Sequence, residues 1–101
     1  MDIEELFSGI PSRIGHVYLA RVKDTYKIGF CKEIPKRMAV LNSDNAHPVE
    51  LVHSACVENP RKVEKFLHTK YEENNLSGEW FVLNKEDVKE ISEYLELISW
   101  N

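Results

Sequence analysis

Long apolar runs are missing from this 101-residue sequence. No stretch approaches the ~20 consecutive apolar residues that a membrane-spanning helix needs, so no membrane partner is expected. The start Met1-Asp2-Ile3-Glu4-Glu5 is acidic, the opposite of a secretory leader's basic first region, and a cytoplasmic location is the expectation. Cysteine is scarce. Cys31 and Cys56 match no metal-binding spacing and are too few for a disulfide scaffold, so they read as reduced core residues. Four glycines and four prolines form no low-complexity stretch or linker, and no repeat is visible, which leaves one domain. Basic charge is also short: the net charge of -4 and pI near 5.5 argue against a chain that is basic throughout.

What is there changes that last exclusion. Residues 1–12 hold three acids and no base, for -3. Residues 13–71 hold eleven Lys and Arg against six acids, for +5, and residues 72–101 hold eight acids against Lys85 and Lys89, for -6. Binding to phosphates depends on local potential, and the middle of the chain is basic.

The apolar pattern places the elements. Asp2 and Glu5 have capping-box spacing, with Ile3, Leu6 and Phe7 able to share a helical face before Pro11. Gly15 to Val22 alternates, Lys23-Asp24-Thr25 is turn-like, and Tyr26 to Cys31 alternates again, which predicts a β-hairpin. Pro35 opens a helix running to Asn42, and Val49 to Val57 reads as a third strand. Asn59-Pro60 reads as an N-cap with proline behind it, starting a helix that Leu76-Ser77-Gly78 closes. Trp80 to Leu83 suits a short extended segment. Asn84 with Asp87 then caps a last helix whose stripe is Val88, Ile91, Leu95 and Ile98. The expected fold is a small single-domain α/β layer protein, with a three-stranded, mainly antiparallel sheet flanked by helices. Its parts are a short acidic N-terminal helix over 1–12, a main body over 13–83, and an acidic amphipathic helix over 84–101 packed on that body.

Several polar residues exceed what such a fold needs. Tyr18 and Lys27 sit on neighbouring hairpin strands, Arg37 begins the helix that follows, and Glu64 and His68 lie four apart on one face of a later helix. A hydroxyl, two cations, a carboxylate and an imidazole suffice to cut a phosphodiester. The carboxylate holds a divalent metal, the cations neutralise charge building up on phosphorus, and a tyrosine or histidine positions or deprotonates the attacking water.

Val17-Tyr18 within Gly15-His-Val-Tyr-Leu, then Lys27-Ile28-Gly29, then Arg37 eight residues on, resembles the GIY-YIG nuclease superfamily. The resemblance is to the branch with a KIG second motif, a Glu-x-x-x-His helix (Glu64 to His68) and a closing Gly-Glu-Trp-Phe (Gly78 to Phe81). It runs from Gly15 to Leu83. It implies that Tyr18 contacts or activates the nucleophilic water and that Lys27 replaces the second motif's tyrosine. Arg37 would stabilise the pentavalent phosphate, His68 would aid proton transfer, and Glu64 would be the sole protein ligand of one Mg²⁺ or Mn²⁺. Gly29, Lys36 and Glu79 would lie at the substrate-binding surface, with Glu79 and Trp80 in the layer that closes the site. One carboxylate with waters and substrate oxygens is an ordinary magnesium site. The implied activity is endonucleolytic cleavage of DNA, with a protein partner possible for targeting. The alternative is a catalytically silent module of the same fold that binds a protein or nucleic acid. Its motive is Leu41, where the superfamily often has a histidine, together with the acidic ends.

Overall fold

The computed structural model describes residues 14–100. The predicted hairpin is present as β1 (Ile14–Val22) and β2 (Thr25–Cys31), with Lys23 in the left-handed region at the turn. Its register sets Tyr18 opposite Gly29 and Ala20 opposite Lys27. β3 (Glu50–Glu58) pairs antiparallel with the other side of β1, with an irregularity at Leu19/Ala20.

The expected three-stranded sheet is wrong. Two further strands, β4 (Asn75–Ser77) and β5 (Trp80–Phe81), extend it to five, in the order β3-β1-β2-β5-β4 with every pairing antiparallel. β5 lies along the outer edge of β2, setting Phe81 opposite Tyr26 and Trp80 opposite Lys27. These strands of three and two residues are too short to show a period-2 pattern, and β4 is exposed throughout. They exist because β2 offers an unpaired edge.

Three helices complete the described residues: α1 (Ile34–Asp44), α2 (Pro60–Lys70) and α3 (Lys85–Ile98). Proline stands in the first turn of α1 and α2, where a missing N–H costs nothing. Asn84 caps α3 through the predicted reciprocal box: Asp87 N–H donates to Asn84 Oδ1, and Asn84 N–H donates to Asp87 Oδ2. Asn59 departs from its predicted role. It sits in the left-handed region at φ 55° with no side-chain cap, and its carbonyl accepts from the N–H groups of Lys62 and Val63. Helix α2 also stops earlier than the sequence suggests. Tyr71 is buried and its hydroxyl donates to Glu90 on α3, so the chain leaves the helix there into a 3-10 turn at Glu72–Asn74.

β1 is covered on both faces. Val17 and Leu19 join Ile28, Val57, Leu67, Phe81, Ile91 and Leu95 in the larger core, which α2 and α3 roof. Tyr18 and Ala20 point the other way into a smaller cluster with Cys31, Leu41 and Val49, against Ile34 and Met38 of α1. The two cysteines are free, with Cys31 buried and Cys56 half-buried. Beyond α3, Trp100 N–H donates to the Cys56 carbonyl at 2.6 Å, tying the segment to β3. Among the described residues no helix is long and apolar enough to cross a membrane. The helix expected over 1–12 lies outside the described residues.

Candidate active site

The Tyr18–Gly29 pair organises the site. Tyr18 is 1% exposed, and its ring lies across Gly29, where a Cβ would stand 2.5 Å from Tyr18 Oη, 2.7 Å from Cζ and 3.0 Å from Glu79 Oε1. Only a residue without a side chain leaves room for the tyrosine ring and the Glu79 carboxylate together.

Glu79 reaches that place through the turn between β4 and β5. Its carbonyl accepts from Ile28 N–H at 3.1 Å, pinning the turn to β2. Gly78 has φ +56°, a conformation that other residues adopt only with strain. Asn75 Nδ2 donates to the carbonyls of Gly78 and Trp80 at 2.8 and 3.1 Å. Lys27 Nζ stands 3.6 Å from Glu79 Oε2 and 5.4 Å from the centre of the Trp80 ring, a cation held between a carboxylate and an aromatic face.

Glu64 and His68 enter from α2, one turn apart. Donor atoms of Glu64, His68 and Glu79 all lie within 4.8 Å of one another, and all three residues are half-buried. His68 Nε2 is 2.8 Å from the Ile28 carbonyl, which can only accept, so Nε2 carries a proton and the lone pair of the deprotonated form belongs to Nδ1. The ring also packs on Phe81, with centroids 4.9 Å apart. Burial raises the Glu64 carboxyl above the usual range, the nearby Glu79 carboxylate raises it further, and His68 and Lys27 pull it down. Tyr18 is pushed up to about 12, chiefly by burial; Arg37 opposes the shift, while Glu79, Cys31 and Glu64 add to it. At neutral pH its hydroxyl is therefore protonated.

Of the eight residues expected to act on or bind the substrate or metal, seven thus converge: Tyr18, Lys27, Gly29, Arg37, Glu64, His68 and Glu79. Lys36 stands apart on the rim, highly exposed and paired with Glu33 at 3.2 Å. Two features escaped the sequence reading. Glu79, expected at the substrate surface and in the layer that closes the site but not as a partner of Glu64, is a second carboxylate beside it, because a turn hung on β2 folds it back there. The other is the groove itself, a cavity of about 750 Å³ lined by Lys32, Arg37, Arg61, Lys62, Glu64 and Glu79 among others. The first turns of α1 and α2 both contribute to its lining. Neither has an acid in its first turn, and each has two bases directly after its proline: Pro35-Lys36-Arg37 and Pro60-Arg61-Lys62. Helix N-termini carry partial positive charge and favour acids. Two that carry bases instead concentrate positive potential, and this repeated Pro-base-base pattern was a usable signal in the sequence.

No curated protein and no solved structure matches the chain. The model of the T5orf172 domain family matches residues 15–96, from the second residue of β1 to two residues before the end of α3. Because that match covers most of the sequence and every residue of the convergent cluster, the chain belongs to the T5orf172 domain family.

Proposed function

We propose that the chain is a divalent-metal-dependent endonuclease of the GIY-YIG type that hydrolyses phosphodiester bonds in DNA. The observation that carries this reading is the convergence of Tyr18, Lys27, Arg37 and Glu64 beside a groove that two basic helix N-termini border. A phosphate backbone is a polyanion, and the lining bases Lys32, Arg37, Arg61 and Lys62 suit it.

Hydrolysis adds one water across the P–O bond. A new P–O bond forms, the bond to the leaving sugar oxygen breaks, one water proton is lost, and the leaving oxygen gains a proton. Arg37, exposed at the groove, is free to fork onto the non-bridging oxygens and offset the charge of the pentavalent state. Tyr18, protonated at neutral pH, is suited to holding the attacking water by hydrogen bonds rather than to acting as a ready-made phenolate base. Lys27, within reach of Glu79, lies in the same cluster as a second cation. Glu64 is the carboxylate for Mg²⁺ or Mn²⁺, and its surroundings fit: it is half-buried and has Glu79 and His68 at hand. A bound divalent ion would polarise the phosphoryl oxygen and ease loss of the water's proton.

Plasmid DNA incubated with the purified chain and Mg²⁺ or Mn²⁺ tests this. Cleavage is expected, with Arg37→Ala slower by roughly 10²- to 10³-fold and Glu64→Gln inactive. Absence of cleavage, or equal cleavage by all three proteins, overturns the catalytic reading.

One observation favours the silent binding module. Leu41, one turn beyond Arg37 where the superfamily often has a histidine, is buried in the smaller core and offers no polar group. Under that reading the protein binds a protein or nucleic-acid partner without cutting it, and Glu64→Gln binds that partner as tightly as the parent.

A further inference from the structure

We propose that Glu64, His68 and Glu79 together form a three-ligand centre that takes a first-row transition ion, Mn²⁺ or Zn²⁺, in preference to Mg²⁺. The proposal deepens the nuclease reading and rests on the same cluster, but it replaces a single carboxylate ligand with two carboxylates and an imidazole. It also makes His68 a ligand rather than a proton carrier.

The donor atoms of the three residues lie within 4.8 Å of one another. Ligand atoms around one tetrahedral ion, at bond lengths of about 2.1 Å, would stand about 3.4 Å apart, so an inward movement of the two flexible carboxylates by about 1 Å would close the set. The two elements that bring the ligands are fixed independently. Glu64 and His68 are one turn apart on α2, and Glu79 hangs on β2 through its own carbonyl.

His68 is prepared for the part. Its Nε2–H is spent on the Ile28 carbonyl, which fixes the tautomer and leaves Nδ1 as the lone-pair nitrogen. A ring held by a backbone acceptor on one nitrogen, with the other free, is the usual arrangement of a metal-bound histidine. Phe81 against the ring face limits its rotation further.

The donor chemistry selects the ion. Mg²⁺ demands hard oxygen ligands and parts reluctantly with its waters, whereas imidazole suits Zn²⁺ and its neighbours, and Mn²⁺ accepts carboxylates and imidazole alike. Lys27 Nζ stands 3.6 Å from Glu79 Oε2. An ion at the centre would compete for that carboxylate and free Lys27 toward the groove.

Calorimetric titration of the full chain with ZnCl₂, MnCl₂ and MgCl₂ tests the ion preference, and ¹⁵N NMR of the histidine ring tests the ligand. Zn²⁺ is expected to bind with one-to-one stoichiometry at least tenfold tighter than Mg²⁺, and to shift the His68 Nδ1 signal while Nε2 stays protonated. Glu79→Gln, checked for folding by circular dichroism, should weaken Zn²⁺ and Mn²⁺ by about tenfold or more. The NMR arm needs no substitution, so it stands even if a variant fails to fold. An unmoved His68 Nδ1 signal, or Mg²⁺ binding as tightly as Zn²⁺, overturns the proposal. DNA cleavage with Mg²⁺ alongside an unmoved His68 would remove the three-ligand centre and leave the nuclease reading intact. Zn²⁺ held by all three residues without DNA cleavage would do the reverse.

Discussion

Tyr18 and Gly29 face each other across the hairpin, and a methyl group on Gly29 would overlap the tyrosine's Oη and Cζ at 2.5 and 2.7 Å. The contact ties a core packing requirement to the site, since the same space holds the Glu79 carboxylate.

Gly29→Ala should therefore lower stability by about 1–3 kcal/mol, the usual penalty for overfilling a packed space. Urea unfolding measures it. Combining it with Tyr18→Phe removes the nearer clash and leaves the Cζ one, so recovery should be partial. A Gly29→Ala protein as stable as the parent would show that the ring moves aside at no cost.

Tyr18 is pushed up to about 12, and Tyr71 higher still, by burial and by its hydrogen bond to the Glu90 carboxylate. In the folded chain both should keep their protons at pH 10.5, and denaturant should release them as added phenolate absorbance near 295 nm. Because folding raises both values, their contribution to stability is complete below the unfolded tyrosine value near 10 and is lost as pH rises toward the folded values. Stability should fall above pH 10, and Tyr71→Phe should blunt that fall. Full ionisation at pH 10.5 without denaturant would contradict the burial of both hydroxyls.

Asn84 supports α3 through the capping box, outside the cluster of Glu64, His68 and Glu79. Asn84→Ala should cost about 1 kcal/mol and leave metal binding unchanged. Thermal unfolding and calorimetry separate the two effects, and lost metal binding at full stability would link α3 to the site.

The paired bases at the start of α2 should set the salt response. Arg61→Gln with Lys62→Gln is expected to reduce the slope of log affinity for duplex DNA against log salt by about 2. An unchanged slope would take that side of the groove out of the DNA path.

Local signals were legible where they depend on a few adjacent residues. The hairpin, the three described helices, the Asn84 cap and the spacing of Glu64 and His68 follow from periodicity and turn chemistry. So does the separation of a basic middle from acidic ends. β4 was not legible as a strand, and β5 was legible only as a short extended segment outside the sheet, because five residues in two pieces have no periodicity and gain their pairing from the free edge of β2, on which β5 lies and beyond it β4. Asn59 looked like a side-chain cap, yet its backbone took the left-handed conformation and its carbonyl did the capping.

The sequence by itself determined which chemical groups are available: a tyrosine, cations beside two helix-starting prolines, an i,i+4 carboxylate and imidazole, and a glycine between them. Only the tertiary structure decided that these groups meet, and that Glu79 stands with Glu64 rather than merely at the substrate surface. The reason is long-range. The β4–β5 turn is placed by a hydrogen bond to Ile28, fifty-one residues earlier in the chain, and no local pattern encodes a contact whose two halves lie so far apart.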